Sequence, residues 1–183
     1  QPSTGLVLNE LQADNQTTLA DEAGEHDDWL ELHNRGSAPV GLSGWFLGPD
    51  GQDPWRYALP DVVLAPGGHY LVWCDRDPEQ GANHADFKLG RGGDEVRLST
   101  REATHDVVLF AALATDSSHA RLPDGGEAWF ACDSPTPGEA NRCVGVPVPS
   151  VTSAATSLPS PTATLPNPPA THWIAWLPML HRR

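Results

Sequence analysis

The chain has 183 residues, of which 39% are hydrophobic, and a formal net charge of −13 at pH 7. Because domains usually contain about 100–150 residues, this length allows one domain and a spare segment. The 18 Pro and 17 Gly residues are too many for a helical bundle, and no apolar run reaches the length of about 18 residues that a membrane-spanning helix needs. The acidic charge argues against a nucleic-acid partner, since phosphate binding requires Lys and Arg.

Short apolar runs separated by turn residues follow one another through the first 144 residues. Gly, Pro and Asp interrupt these runs at intervals of roughly 8–12 residues, a pattern typical of β-sandwiches and barrels. No long window shows the periodicity of a helix. In chain order, the predicted strands contain residues 6–11, 29–32, 44–47, 70–74, 95–98, 106–110 and 128–130. The sequence therefore predicts an all-β domain over residues 1–144.

The composition changes abruptly after Cys143. Between residues 145 and 171, seven of 27 residues are Pro and nine are Ser or Thr, and none is charged. Such a segment buries too little apolar surface to fold, so we predict a disordered Pro/Ser/Thr-rich linker. Residues 172–183 form a short apolar segment that contains two Trp and ends in Arg182-Arg183. This segment is interpreted either as a sorting or surface-attachment tag, or as an end that docks on the domain as a strand or stays disordered.

Eight motifs in the predicted domain occur in the order found in one known family. They are Leu8-Asn9-Glu10-Leu11, the run 28–34 that begins Asp28-Trp29, the run 42–47 around Gly44-Trp45, the run 64–72 around Gly67-Gly68, Phe87-Lys88-Leu89, the run 93–98 that begins Gly93-Asp94, Arg121-Leu122-Pro123-Asp124-Gly125 and Pro135-Thr136-Pro137-Gly138. Over about residues 5–142 the chain resembles the lamin tail domain family. The motif residues that carry the resemblance are Asn9, Glu10, Asp28, Trp29, Glu31, Asn34, Gly44, Trp45, Gly67, Gly68, Asp94, Pro123, Asp124, Gly125, Pro137 and Gly138.

This resemblance implies an immunoglobulin-like antiparallel β-sandwich. The bacterial secreted or surface branch of the family is the nearer one, because no heptad rod of a nuclear lamin precedes the domain. In that branch the domain accompanies other proteins in a targeting or adhesion role, which implies a module without catalysis.

Five Trp residues lie in the predicted domain. We expect them to fill the core of a sandwich that is poor in Phe and Tyr, although a surface of stacked Trp side chains could also bind carbohydrate. Trp55 stands in a loop-like segment and is the one expected to be exposed. The five are Trp29, Trp45, Trp55, Trp73 and Trp129.

Three Cys residues leave one without a partner if a disulfide forms. Cys132 and Cys143 flank a turn-rich segment that can bring their sulfur atoms together, and we predict a disulfide between them. Closing a loop of this size stabilises the fold by about 3 kcal/mol in the chain-entropy model. Cys74 follows an apolar strand and is expected to be a buried thiol.

Acidic side chains are concentrated near the start of the chain. The first 31 residues contain eight Asp or Glu and no Lys or Arg. Such a stretch is usually a solvated loop, but it also offers the oxygen ligands that calcium prefers. The spacing of a regular calcium loop is absent. Asp14, Asp27, Asp28 and Glu31 are the candidate metal ligands, and no other cofactor is expected.

Motifs of hydrolases, zinc enzymes and phosphate-binding loops are absent from the sequence. Glu10 together with Asp28 or Glu31 would form a carboxylate pair on neighbouring strands, as glycosidases use, but a domain this small leaves little room for a substrate cleft. We therefore expect a non-catalytic structural or interaction module that binds a protein or a cell-envelope or glycan partner. The alternative is a calcium-dependent or carbohydrate-binding, lectin-like domain.

The expected location is extracytoplasmic, either secreted or at the cell surface. The chain opens with Gln1-Pro2-Ser3-Thr4 instead of a basic and apolar leader, as a mature exported chain would. Its single Lys and its acidic surface agree with that location.

Overall fold

A computed structural model describes residues 5–49 and 53–144. The predicted linker (145–171) and the apolar segment (172–183) lie outside these residues. The described residues form strands and turns, with no helix among them, so the predicted all-β class is confirmed. The strands are β1 Leu6–Gln12, β2 Trp29–Asn34, β3 Val40–Gly41, β4 Phe46–Pro49, β5 Tyr57–Ala58, β6 Val63–Leu64, β7 His69–Cys74, β8 His84–Ala85, β9 Gly93–Ser99, β10 Thr104–Ala111, β11 Ser118–Arg121 and β12 Trp129–Cys132.

The strands form two main sheets in a sandwich-like arrangement. A six-stranded sheet has the order β12-β11-β1-β2-β7-β8, and a four-stranded sheet has the order β10-β9-β4-β5. Strands β3 and β6 make a small separate pair. Neighbouring strands are antiparallel except for β7 and β8, which are parallel. Within the part of the chain that the structure describes, no helix has the length and apolar character of a membrane span.

The core lies between the inward faces of the two main sheets. The strand β10 shows the expected alternation, since Val108 and Phe110 are buried while Val107 and Leu109 are exposed. Aliphatic side chains from both sheets join one cluster, which includes Leu8, Leu30, Leu32, Leu47, Val72, Val96 and Leu98. Burial of this apolar surface is the main term that stabilises such a fold.

The Trp and Cys residues occupy different positions relative to the core. Trp45 lies in the core cluster and Trp129 packs against it, whereas Trp29 and Trp73 are buried outside that cluster. Trp55 is 43% exposed, as predicted. Cys132 and Cys143 form the predicted disulfide. Cys74 is a buried free thiol, and burial raises its pKa well above the ordinary value.

Both faces of β2 are buried, which is more than the sequence pattern predicts. Alternation places Leu30 and Leu32 on one face and Trp29 and Glu31 on the other, yet all six residues of the strand are buried. Residues 133–144, which we call the closing segment, cover Glu31 on the second face, since Gly138 donates a backbone hydrogen bond to Glu31. The closing segment therefore belongs to the domain as a structural element.

Candidate functional site

Two buried carboxylates face the closing segment from neighbouring strands. Glu10 on β1 and Glu31 on β2 are cross-strand partners. Glu10 accepts hydrogen bonds from Ser118 Oγ at 2.5 Å, from the Thr136 backbone N at 3.1 Å and from Thr136 Oγ1 at 3.2 Å. Burial raises the pKa of Glu10, and the bonds from Ser118 and Thr136 oppose this change.

Glu31 binds the next turn of the closing segment. Its Oε2 accepts a hydrogen bond from the Gly138 backbone N at 2.6 Å, and its Oε1 accepts one from Asn9 Nδ2 at 3.2 Å. Burial raises the pKa of Glu31 to about 7, assisted by the negative charges of Glu10 and Asp124 and opposed by the hydrogen bonds from Gly138 and Asn9. Gly138 has φ = 78°, in the left-handed region that favours glycine, and this conformation presents its N–H to the carboxylate.

Asn9 and Asp124 extend this network to the turn between β11 and β12. Asn9 Oδ1 accepts a hydrogen bond from the Gly125 backbone N at 2.9 Å, and Asp124 Oδ1 accepts one from the Asn141 backbone N at 2.9 Å. The side chain of Asn141 donates to the backbone oxygens of Asn9 and Arg121. Five predicted motif residues (Asn9, Glu10, Glu31, Asp124 and Gly138) thus meet in one buried network that fixes the closing segment.

Other motif residues stabilise turns. Asn34 Nδ2 donates hydrogen bonds to the backbone oxygens of Ala38 and Leu64. The backbone N of Asn34 donates to Gly68 O, and its backbone oxygen accepts from Gly67 N, and these two bonds close the turn before β7. Asp94 Oδ2 accepts a hydrogen bond from the Gly90 backbone N at 3.0 Å. Asn34 and Asp94 therefore belong to the motifs because their side chains bind backbone atoms and fix the conformation of these turns.

Two histidines and an aspartate meet beside the carboxylate network. His33 on β2 and His69 on β7 are cross-strand partners, with ring centroids 4.6 Å apart. Asp124 Oδ2 lies 3.3 Å from His69 Nε2. Neither histidine was among the candidate metal ligands, because the sequence does not show that positions 33 and 69 share a strand register.

An acidic cluster forms where two loops meet near β8. It consists of Asp21, Glu22, Glu25, Asp27, Asp75 and Asp77 together with His84. His84 is buried and contacts Asp75 through Nδ1 and Glu22 through Nε2. These hydrogen bonds raise the pKa of His84 although burial acts in the opposite direction.

A cavity of about 360 Å³ opens beside the acidic cluster. Its lining residues are Glu25, His26, Asp27, Asp75, Asp77 and Lys88. Two oxygen atoms of this region, Asp21 Oδ2 and Gln80 Oε1, are buried without a hydrogen-bond partner in the described residues. The arrangement offers several oxygen ligands of the type that hard cations bind.

The four metal-ligand candidates do not share one site. Asp27 lies in the acidic cluster, where Lys88 Nζ is 3.5 Å from it. Asp14 Oδ2 forms a salt bridge with Arg91 Nη2 at 2.8 Å and accepts a hydrogen bond from Thr115 Oγ1 at 2.5 Å. Burial raises the pKa of Asp28 to about 6, and Glu31 belongs to the network around the closing segment. The sequence points to these four residues because acidic residues are dense around them. The acidic cluster of the structure also contains Asp75 and Asp77, which lie in a loop that is distant in sequence.

An exposed edge strand carries apolar side chains on the surface of the described residues. The strand β10 is the last strand of the four-stranded sheet and pairs only with β9 among the described residues. Its outward side chains include Val107 and Leu109, and Leu109 is 74% exposed. Such an edge presents free backbone N–H and C=O groups to a binding partner.

The sandwich of two mainly antiparallel sheets around an apolar core is an immunoglobulin-like fold. A model of the Lamin Tail Domain family matches residues 1–111, and the chain belongs to this family. The family is a non-catalytic one. The match ends at the last residue of β10, while β11 and β12, which follow it, complete the six-stranded sheet. No curated protein matches the chain.

Proposed function

We propose that this chain is a non-catalytic interaction module of an exported or cell-surface bacterial protein and that it binds a protein or cell-envelope or glycan partner. The observation that carries the proposal is the unpaired edge of β10 with its exposed Val107 and Leu109. An extended polypeptide can add to such an edge, with backbone hydrogen bonds for affinity and side-chain contacts for specificity. A protein segment is therefore the favoured partner.

Two further observations support this proposal. Glu10 and Glu31, which pair as a glycosidase would require, are almost completely buried and accept hydrogen bonds from the closing segment. Carboxylates held in this way serve the fold. The disulfide between Cys132 and Cys143 supports the exported location, because disulfides persist in oxidising compartments.

Changing the edge strand should weaken binding to the cell envelope. The double variant Val107→Lys/Leu109→Lys adds two charges to β10 and should reduce co-sedimentation with a purified bacterial envelope preparation by about tenfold or more. Val63→Lys is the matched control, because Val63 is also exposed but lies on β6. Equal binding of all three proteins, or no binding of the unaltered chain, would contradict the proposal. Protease treatment of the envelope separates the two partner classes, since binding that survives it indicates glycan.

Calcium-dependent binding, as in a lectin-like domain, is the second candidate function. It is supported by the acidic cluster and by the unpartnered oxygens of Asp21 and Gln80. Calcium chloride should raise the melting temperature of the protein and EDTA should reverse the increase. The increase should disappear in Glu25→Gln/Asp27→Asn and persist in Glu127→Gln, whose side chain is solvent-exposed. A melting temperature that changes with neither calcium nor EDTA would contradict calcium-dependent binding.

A further inference from the structure

The ring nitrogens of His33 and His69 and the carboxylate of Asp124 come together on three different chain segments. One potential ligand atom from each residue lies within 4.8 Å of the other two. His33 ends the pairing between β2 and β7, His69 begins β7, and Asp124 lies in the turn after β11. Because the cross-strand register and the turn set these positions, the group is built by the fold.

One ring nitrogen of His33 makes no hydrogen bond of normal geometry. Its Nδ1 is buried and has no hydrogen-bond partner in the described residues, and the residue as a whole is 7% exposed. Buried polar atoms nearly always have a partner, so this nitrogen calls for a ligand. A neutral imidazole nitrogen that carries a free lone pair is the commonest protein ligand of transition-metal ions.

Hydrogen bonds fix the orientation of the Asp124 carboxylate, as they do for a metal ligand. Its Oδ1 is fixed by hydrogen bonds from the Asn141 backbone N and from Asn9 Nδ2, while Oδ2 points to His69. Outer hydrogen bonds of this kind hold ligating side chains in place in metal sites. Glu31 Oε1, 3.9 Å from His69 Nε2, adds a second negative charge nearby.

The donor set and the distances fit zinc. Tetrahedral coordination with bonds of about 2.0–2.1 Å places ligand atoms roughly 3.3 Å from each other. Asp124 Oδ2 and His69 Nε2 are 3.3 Å apart, and the other separations between the potential ligand atoms are at most 4.8 Å. The side chains of His69 and Asp124 are 13% and 17% exposed, which leaves a path for an ion.

We propose that His33, His69 and Asp124 bind a zinc ion, with water as the fourth ligand. The site is separate from the β10 edge and from the acidic cluster, so it does not depend on the function proposed above. The ion would connect β2, β7 and the turn after β11. Because it binds the folded chain, it would raise the melting temperature as the zinc concentration increases.

Zinc binding to the full chain without an affinity tag tests this site. Isothermal titration with zinc chloride should show one zinc ion per chain at this site and a parallel increase in melting temperature. His33→Phe and His69→Phe keep an aromatic ring but remove a zinc ligand, and each should weaken zinc binding by about 100-fold or more. This loss exceeds the one expected when a residue that only hydrogen-bonds to a zinc ligand is removed. His119→Phe is the matched control, because His119 is also a strand residue with a ring stacked on an aromatic neighbour, Trp129; it should bind zinc as the unaltered chain does.

Two results would overturn the proposal. One is the absence of stoichiometric zinc binding by the unaltered chain, and the other is binding that persists in both His33→Phe and His69→Phe. If the variants do not fold, imidazole ¹⁵N resonances of the unaltered chain decide the question. Zinc should shift the signals of His33 and His69, and binding without those shifts would place the ion elsewhere.

Discussion

Arg121→Ala should lower the free energy of unfolding by about 3–5 kcal/mol, because it leaves a buried carboxylate without its cation. Arg121 Nη2 donates to both oxygens of Asp106, at 2.8 and 3.0 Å, and Asp106 Oδ2 also accepts the Leu8 backbone N. Arg121 Nε donates to the Leu8 backbone oxygen at 2.7 Å, and Nη1 donates to Gly126 O. One guanidinium thus joins β11 and β1 of the larger sheet to β10 of the smaller one.

Urea denaturation at neutral pH measures the loss. Arg56→Ala is the control, since the pair of Arg56 and Asp86 is exposed at the surface and exposed pairs contribute less than about 1 kcal/mol. Arg121→Lys retains the charge but loses the separate donors to Leu8 and Gly126, so its stability should fall between those of the unaltered chain and Arg121→Ala. A loss for Arg121→Ala as small as that of Arg56→Ala would show that the buried pair does not connect the sheets.

The strand content of this domain can be predicted from sequence because the signals are local. Alternation within each run and turn residues between the runs place most strands within a few positions of those observed, as at residues 29–32 for β2. The two-residue strands β3, β5, β6 and β8 leave no such signal, since alternation needs more residues to become visible, and the four-residue strand β11 is not among the predicted strands either.

The carboxylate network shows where local reasoning stops. The sequence identifies Asn9, Glu10 and Glu31 as motif residues, but their partners Thr136 and Gly138 lie more than 100 positions away. Only the folding of the closing segment over β1 and β2 explains why acidic residues occupy buried strand positions. Similarly, Gly125 and Gly138 have positive φ values, which the structure shows and the sequence analysis does not predict.

The candidate sites differ in how far sequence could locate them. Asp27 was selected from a dense run of acids, and it does lie beside the cavity of the acidic cluster. His84, which is the buried center of that cluster, and the pair of His33 and His69 were not selected. Each of these histidines depends on a contact between strands or loops that are distant in sequence, and a single sequence contains no record of such contacts.

Glu10→Ala should release the closing segment and lower the free energy of unfolding by about 3 kcal/mol. The substitution removes the acceptor of three hydrogen bonds, and each buried donor left unsatisfied costs about 1–3 kcal/mol, part of which is recovered because a buried charge is also removed. Ser118 Oγ and the two donors of Thr136 lose their partner. The disulfide between Cys132 and Cys143 keeps the segment tethered, so the domain should remain folded.

Amide hydrogen exchange locates this effect, because the Thr136 and Gly138 amides should exchange faster in Glu10→Ala while those of β9 stay protected. Glu10→Gln keeps an acceptor oxygen and removes the charge that burial disfavours, so it should change stability by less than about 1 kcal/mol. Equal losses of stability in Glu10→Ala and Glu10→Gln would mean that the negative charge of Glu10, and not its acceptor oxygen, holds the closing segment. Unchanged exchange at Thr136 in Glu10→Ala would mean that the disulfide and Glu31 suffice to keep the closing segment against β1 and β2.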